Sequence, residues 1–414
     1  MNNIESLAGV TVIELVPSIA PEMFGLGYAV LNLAAALERA GADVYLSSVD
    51  EAKIAGQACE EVGFSQDKYI RGSVIGPSRL RLAPNLLGRL LSIPNNGKVI
   101  VHLHEMWTYM SYVAGKLRKQ WNCPLVLNAH GELEPYALAI SPKKKALASL
   151  FYSRQNIKTA SCFLALSEQE KASIQAYGYQ GRVAVIPNGV NRAIPCSAED
   201  VAEFRNRHKL ASWSRVLLFL SRIARKKNLP LLLKTFAKNV KLQPEWVLLI
   251  AGSDERGHIQ EVLNLIRELG IEKSVRMIGQ VSGKEKACAF TSASLFVLPS
   301  HSEGLPIAVL EAMEYGKPLL LTDGWTLPVT TSARFYWRVP VSEGAFERAL
   351  LEAMCTPEDR LIEMGCCAKS VVRKHFGWDG VANQVSLLYS SLLQGSHDSK
   401  ALIQQQSVGA EIAG

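Results

Sequence analysis

Short, β-branched apolar runs alternate with helical patterns along this chain, and the alternation starts twice. "VTVIELV" (Val10 to Val16) is followed by a loop with Pro17, Pro21, Gly25 and Gly27, then helical "YAVLNLAAALERAG" and strand-like "ADVYLSS". Further strands are expected at "KVIVHLH", "PLVLNAH", "SCFLALS" and "VAVIPNG". A second series begins at "RVLLFLSR" and continues through "NLPLLLKTFAKNV", "WVLLIAGS", "HIQEVLNLIRELG", "SVRMIGQ", "KEKACAFTSA", "SLFVLPS" and "PLLLTD". Runs apolar on both faces belong in parallel sheets covered by helices, so the expected class is α/β, with two doubly wound domains in series. We place the first domain at residues 1–195, the second at 196–395 and a tail of low apolar content at 396–414. "PNGVNRAIPCSAED" (Pro187 to Asp200) is the expected linker.

Composition narrows the function classes. With 48% hydrophobic and 20% charged residues, the chain is typical of a globular protein. No apolar run reaches the roughly 18 residues that span a bilayer. The N-terminal stretch carries Glu5 where a secretory signal would be basic, so a cytoplasmic location is expected. The eight cysteines form no CxxC pair, which argues against a zinc site or disulfide framework; buried reduced thiols are expected. Net charge is +7, and the region between Glu203 and Glu245 holds eleven Lys or Arg and no acid. Such stretches attract anions, yet no nucleic-acid recognition module accompanies them.

Ligands of open α/β sheets bind beyond the carboxyl ends of the strands. Four loops in the second half therefore carry interest. "SRIARKKNL" presents Arg222 after a strand and Lys227 before a helix, a fork and a point charge that suit a pyrophosphate. "AGSDERG" and "MIGQV" place Gly252 and Gly279 at strand ends, where a ligand can approach the backbone. In "SHSEGLPIAVLEAMEYGKP", Glu303 lies before a helix opened by Pro306 and Glu311 lies inside it. The amides around Gly304 and Leu305 sit at that helix N-terminus, which favours an anion. Two carboxylates beside a phosphate-friendly helix end suit the hydroxyls of a sugar nucleotide.

These motifs resemble those of retaining GT-B glycosyltransferases in the E-x7-E group (family 4-like, group 1). "LSEQE" and "VIPNGV" resemble the segments that close the first domain in that family. "NAHGELEPYALAISPKKKALASLFY" resembles members that build bacterial exopolysaccharide or lipopolysaccharide. The resemblance implies two Rossmann-like domains facing one another across a cleft, donor in the second and acceptor in the first. It also implies a C-terminal helix that returns to the first domain, for which "GVANQVSLLYSSLL" is suited. Two departures stand out. Gly25-Leu-Gly27 replaces the usual Gly-Gly pair of the acceptor or diphosphate loop, and Pro328 in "TDGWTLPVTT" is followed by Val329 rather than soon by an acid.

The resemblance assigns His130 to the active site, with His104 as a second candidate, and Arg222 and Lys227 to the leaving diphosphate. Glu303 would orient the transferred sugar and Glu311 the ribose. The implied reaction moves a hexose from a UDP-, GDP- or ADP-sugar to a glycan or lipid-linked glycan, with retention and with no cofactor or metal. Alternatives are a catalytically silent sugar nucleotide-binding protein or a GT-B sugar nucleotide epimerase. "RLRLAPNLLGRLLS" (Arg79 to Ser92) is a candidate contact with an anionic membrane, against a core-packing reading of the same stretch.

Overall fold

The computed structural model describes residues 7–20, 25–76, 81–139, 153–255, 257–324, 327 and 334–395. The chain divides into two compact units, Met1–Gly189 with Trp378–Gly414, and Val190–Gly377.

In the first unit seven parallel strands run in the order β3-β2-β1-β4-β5-β6-β7. They are β1 (Thr11–Leu15), β2 (Asp43–Ser48), β3 (Tyr69–Arg71), β4 (Val99–His104), β5 (Leu125–Asn128), β6 (Cys162–Ala165) and β7 (Val183–Val185). Every residue of β1, β4, β5 and β6 is buried. Their continuous apolar character thus reflects helices on both faces. Ile13, Leu15, Val101, Leu103, Leu127 and Phe163 share one core, each such side chain contributing roughly 1.5–3 kcal/mol by leaving water. The order reverses between β1 and β4, the switch point where ligands of this topology bind. The Trp378–Leu393 helix packs on the Leu26–Arg39 helix and on β4, burying Tyr389 and Val385.

The second unit repeats the plan with six strands in the order β10-β9-β8-β11-β12-β13. They are β8 (Arg215–Leu220), β9 (Trp246–Ala251), β10 (Val275–Gly279), β11 (Leu295–Leu298), β12 (Leu319–Thr322) and β13 (Tyr336–Val339). Its switch point lies between β8 and β11. The expected linker has no regular element until Ala198, where Ser197 and Asp200 form a reciprocal capping box for the Ala198–Arg207 helix.

Of the membrane candidate, residues 79 and 80 lie outside the described residues. The described part forms the Asn85–Leu91 helix, with Leu86 and Leu90 fully buried and Arg89 donating to the Arg71 carbonyl at 2.6 Å. Leu86 and Leu90 thus face the core, while Leu91 is 37% exposed. Among the described residues no helix is long and apolar enough to cross a membrane. Cys59, Cys123, Cys162 and Cys288 are buried as expected, whereas Cys355, Cys366 and Cys367 are exposed. Cys355 ends the Glu343–Cys355 helix, and Cys366 and Cys367 lie on the exposed side of the Glu358–His375 helix.

Candidate active site

At the β8/β11 switch point the loop after β8 meets the loop after β11. Residues Arg225–Lys227 form one 3-10 turn, closed by Asn228 in left-handed conformation, and this turn directs Lys227 inward. Lys227 Nζ donates to Glu303 Oε1 at 2.5 Å, and both side chains are about nine-tenths buried. The backbones are joined as well: His301 N–H donates to the Lys226 carbonyl at 2.9 Å. Burial works to raise the Glu303 carboxyl, but the charges of Lys227 and Lys226 and hydrogen bonds from Lys227 and Ser300 outweigh it and hold it low. Lys227 is also lowered, because burial and the neighbouring charges of Arg222 and Lys226 outweigh the attraction of Glu303.

Arg222 is half-exposed and pairs with Glu255. Gly252 packs tightly against the end of β8. A Cβ there would lie 1.8 Å from the Ser221 carbonyl oxygen, so glycine is required by the neighbouring strand end itself. Gly279 closes β10 with φ of 73°, beside a shift in its register with β9.

Pro306 precedes the Ile307–Glu314 helix, placing Gly304 and the buried Leu305 just ahead of it. That loop is fixed by Glu303 N–H donating to the Gly324 carbonyl at 3.2 Å and by Thr322 Oγ1 donating to the Ser300 carbonyl. Glu311 is buried, as its apolar helix implies, and accepts from Lys286 Nζ at 2.6 Å. On the same helix Glu314 accepts from Arg373, with Nη2 at 2.7 Å and Nε at 3.1 Å. Glu303 and Glu311 therefore have separate lysine partners and are not a carboxylate dyad. Most of "TDGWTLPVTT", including Pro328 and Val329, lies outside the described residues.

The first unit's switch point holds a buried polar network. Parallel register sets Glu14 of β1 beside His102 of β4, and period-two alternation puts His104 on the same face. His104 Nε2 lies 2.6 Å from Glu14 Oε2, while His104 Nδ1 lies 2.9 Å from His130 Nε2. His102 Nδ1 lies 3.2 Å from Glu14 and 2.7 Å from the hydroxyl of Tyr389. His130 stands two residues beyond the end of β5 with φ of 47°, next to Gly131 with φ of 78°. Glu170 of "LSEQE" fixes that turn: its buried carboxylate accepts from Gly131 N–H at 2.6 Å and Leu166 N–H at 2.7 Å. A cavity of about 10 Å³, room for one water, is lined by His104, Asn128, His130 and Trp378 among others.

Burial opposes ionisation of Glu14, but its histidine neighbours prevail and lower it to about 2. Burial, helped by His102, lowers His104 to about 4 against the pull of Glu14. His130 is held well below its ordinary value, first by burial and then by its histidine neighbours. Glu14, His102 and His104 also bring possible metal-ligating atoms within 4.8 Å of one another. The direct hydrogen bond of His104 to Glu14 describes a neutral imidazole on an ionised carboxylate.

Gly25 caps the Leu26–Arg39 helix with φ of 70°. A Cβ on Gly27 would meet Ile19 Cα at 2.8 Å, so this helix end is pressed against the Ser18–Ile19 backbone. Residues 21–24 lie outside the described residues. Sequence reasoning did not single out Glu14, His102, Glu170, Glu255 or Lys286. Glu14 carried a usable signal, an acid in the middle of an otherwise apolar strand. Lys286 had none, since a lysine on a mixed helix is ordinary.

Known proteins match both halves. Residues 25–193 match the family model described as Glycosyltransferase Family 4, and residues 200–361 the one described as Glycosyl transferases group 1. The D-inositol 3-phosphate glycosyltransferase of Corynebacterium jeikeium is 24% identical over 391 residues, 90% of this chain and 93% of that protein. GDP-mannose:cellobiosyl-diphosphopolyprenol alpha-mannosyltransferase of Xanthomonas campestris is 26% identical over 248 residues, 60% of each chain. The crystal structure of Anabaena HepE in complex with UDP and glucose has the same fold, with a TM-score of 0.74 at 17% identity, covering 92% of this chain and 100% of that one. Two parallel-sheet units, each matched by its own glycosyltransferase model, make this chain a member of the family 4 and group 1 glycosyltransferases with the GT-B fold.

Proposed function

We infer that this protein transfers a hexose, with retention, from a nucleoside diphosphate sugar to a hydroxyl of a glycan or lipid-linked glycan in cell-surface polysaccharide synthesis. The observation that carries this reading is the buried Lys227–Glu303 pair at the second switch point, with Arg222 on the same loop. Arg222 and Lys227 stabilise charge developing on the leaving diphosphate, the service a bound metal supplies in other enzymes. Transfer then proceeds without a divalent cation. Glu303 orients the transferred sugar, with Gly304 and Leu305 at the helix N-terminus facing the phosphates. Gly252 and Gly279 line the donor side, and Glu311 accepts from the ribose hydroxyls. In the first unit His130 meets a hydroxyl of the reacting sugars, and the Gly25–Gly27 helix end serves the acceptor or diphosphate.

The names of two relatives agree with this chemistry: one glycosylates a phosphorylated inositol, the other uses GDP-mannose and a diphosphopolyprenol-linked acceptor. Glu303 and Glu311 are not paired with each other as nucleophile and acid, since each pairs with a lysine. That favours attack on the face of the departing phosphate, with the phosphate as base. The direct experiment incubates the protein with UDP-, GDP- and ADP-hexoses, with water as the default acceptor. NMR then follows the anomeric proton of the released sugar before mutarotation. One donor should be consumed with retained configuration. An inverted product contradicts retention, and binding without turnover favours a silent sugar nucleotide-binding protein.

A further inference from the structure

The network behind His130 is more specific than a site histidine needs for packing alone. Four ionisable side chains from two strands and one helix converge there: Glu14 (β1), His102 and His104 (β4) and Tyr389 of the Trp378–Leu393 helix. Glu14 and His102 are fully buried, His104 is 1% exposed and Tyr389 is fully buried. Of these, only His104 touches His130.

We propose that Glu14 and His104 are positioning residues that hold His130 as its Nε2–H tautomer, so that it offers a bare Nδ1 to a substrate hydroxyl. The inference rests on the assignment of His130 to the reacting sugars. Its steps follow from the donor and acceptor inventory of each group. A carboxylate only accepts, so the contact at 2.6 Å requires His104 to carry its proton on Nε2. A neutral His104 then has an unprotonated Nδ1, which can only accept. The contact at 2.9 Å therefore requires His130 to donate from Nε2. A neutral His130 is left with an unprotonated Nδ1, for which the described residues provide no hydrogen-bond donor.

The shifts agree with each step. Glu14 remains ionised, and both histidines remain neutral near neutral pH. His130 therefore acts as an acceptor from a hydroxyl and not as a cation that offsets diphosphate charge. The left-handed turn at His130, held by Glu170 through Gly131, fixes the backbone; His104 fixes the ring. Such two-step support of a ring by a buried carboxylate is how an imidazole is kept in one tautomer and orientation.

Long-range 1H–15N correlation on the full chain with labelled histidine reads the tautomer directly, with His130→Gln identifying the resonance. The expected spectrum has His130 protonated on Nε2 and bare on Nδ1. A proton on Nδ1, or a doubly protonated ring near neutral pH, overturns the proposal. Kinetics supply a second arm, using whichever nucleoside diphosphate hexose the wild-type chain consumes. His104→Phe should lower kcat about 100-fold with donor KM within about twofold, because a misdirected ring costs transition-state contacts and little else. His104→Asn, whose Oδ1 can accept where Nδ1 did, should recover about tenfold of that loss. Equal kcat in wild type and His104→Phe, or no recovery in His104→Asn, contradicts the positioning role. If His104→Phe does not fold, the wild-type spectrum decides by itself. Unchanged turnover in His130→Gln would instead remove the underlying assignment, while the spectrum still reports whether the tautomer is fixed.

Discussion

Lys227 Nζ and Glu303 Oε1 meet at 2.5 Å, brought there from loops that follow non-consecutive strands, with both side chains about nine-tenths buried. Burying two charges is costly even when they pair, and a well-packed apolar replacement is often as stable. The pair therefore points to a ligand and not to stability alone. Lys227→Met should destabilise the fold by about 3 kcal/mol, since it leaves Glu303 buried without its main counter-charge. The double variant Lys227→Met with Glu303→Leu should regain most of that in denaturant titration while donor turnover stays about 100-fold or more below wild type. Recovery of turnover together with stability would show the pair to be merely structural.

In the proposed function Glu303 and Glu311 serve different parts of one donor, and two variants test this. Glu311→Gln should weaken the nucleoside diphosphate and its sugar conjugate alike, by about 10- to 100-fold, because both carry the ribose. Glu303→Gln should leave the nucleoside diphosphate close to wild-type affinity and weaken only the conjugate. Calorimetric titration with both ligands distinguishes these patterns, and loss of conjugate binding alone in Glu311→Gln would reverse the assignment.

Glu314 sits three residues after Glu311 but faces Arg373, and its role is to hold the fold. Arg373 is 44% exposed, which screens the pair. Glu314→Gln should cost about 2 kcal/mol in chemical denaturation and leave the donor KM unchanged. A raised donor KM would draw Glu314 into the site.

Acid should loosen the first unit through its histidines. His104 has a folded-state value near 4 against an ordinary 6.5, so the unfolded chain takes up a proton that the folded chain refuses. Stability is full above 6.5 and falls as pH drops towards 4, by about 3 kcal/mol for His104. The groups facing it are Glu14, His102 and His130, with Tyr389 beyond His102. Glu14, lowered to about 2, adds a further loss only as pH falls below 4.5. Denaturation curves across this range should show the fall, and His104→Asn should flatten it. An unchanged slope in the variant would place the titrating group elsewhere.

The central strands of both sheets were legible because burial on both faces writes a continuous apolar run. Edge strands β3 and β13 were not, since half-exposed Tyr69–Arg71 and Tyr336–Val339 lack that run. Among site residues, Glu303 and Glu311 stood out through spacing around a predicted strand, loop and helix. Their partners Lys227 and Lys286 lie 76 and 25 residues away in the chain. Lys227 was visible as part of a basic loop, and Lys286 was not. Gly252 was legible as a strand-end glycine, but its close approach to the Ser221 carbonyl oxygen, which a Cβ would meet at 1.8 Å, was not. The chain from Glu14 to His130 depends on β1 lying beside β4, a long-range pairing with no local trace.

Thermal unfolding with UDP-, GDP- and ADP-hexoses tests the proposed donor site in the second unit most directly. At about 100 times its dissociation constant, one of these donors should stabilise the wild-type chain by about 2.7 kcal/mol and raise the midpoint accordingly. The same donor should leave Lys227→Met unshifted. A wild-type midpoint that no nucleoside diphosphate hexose moves, or an equal shift in Lys227→Met, would contradict the account.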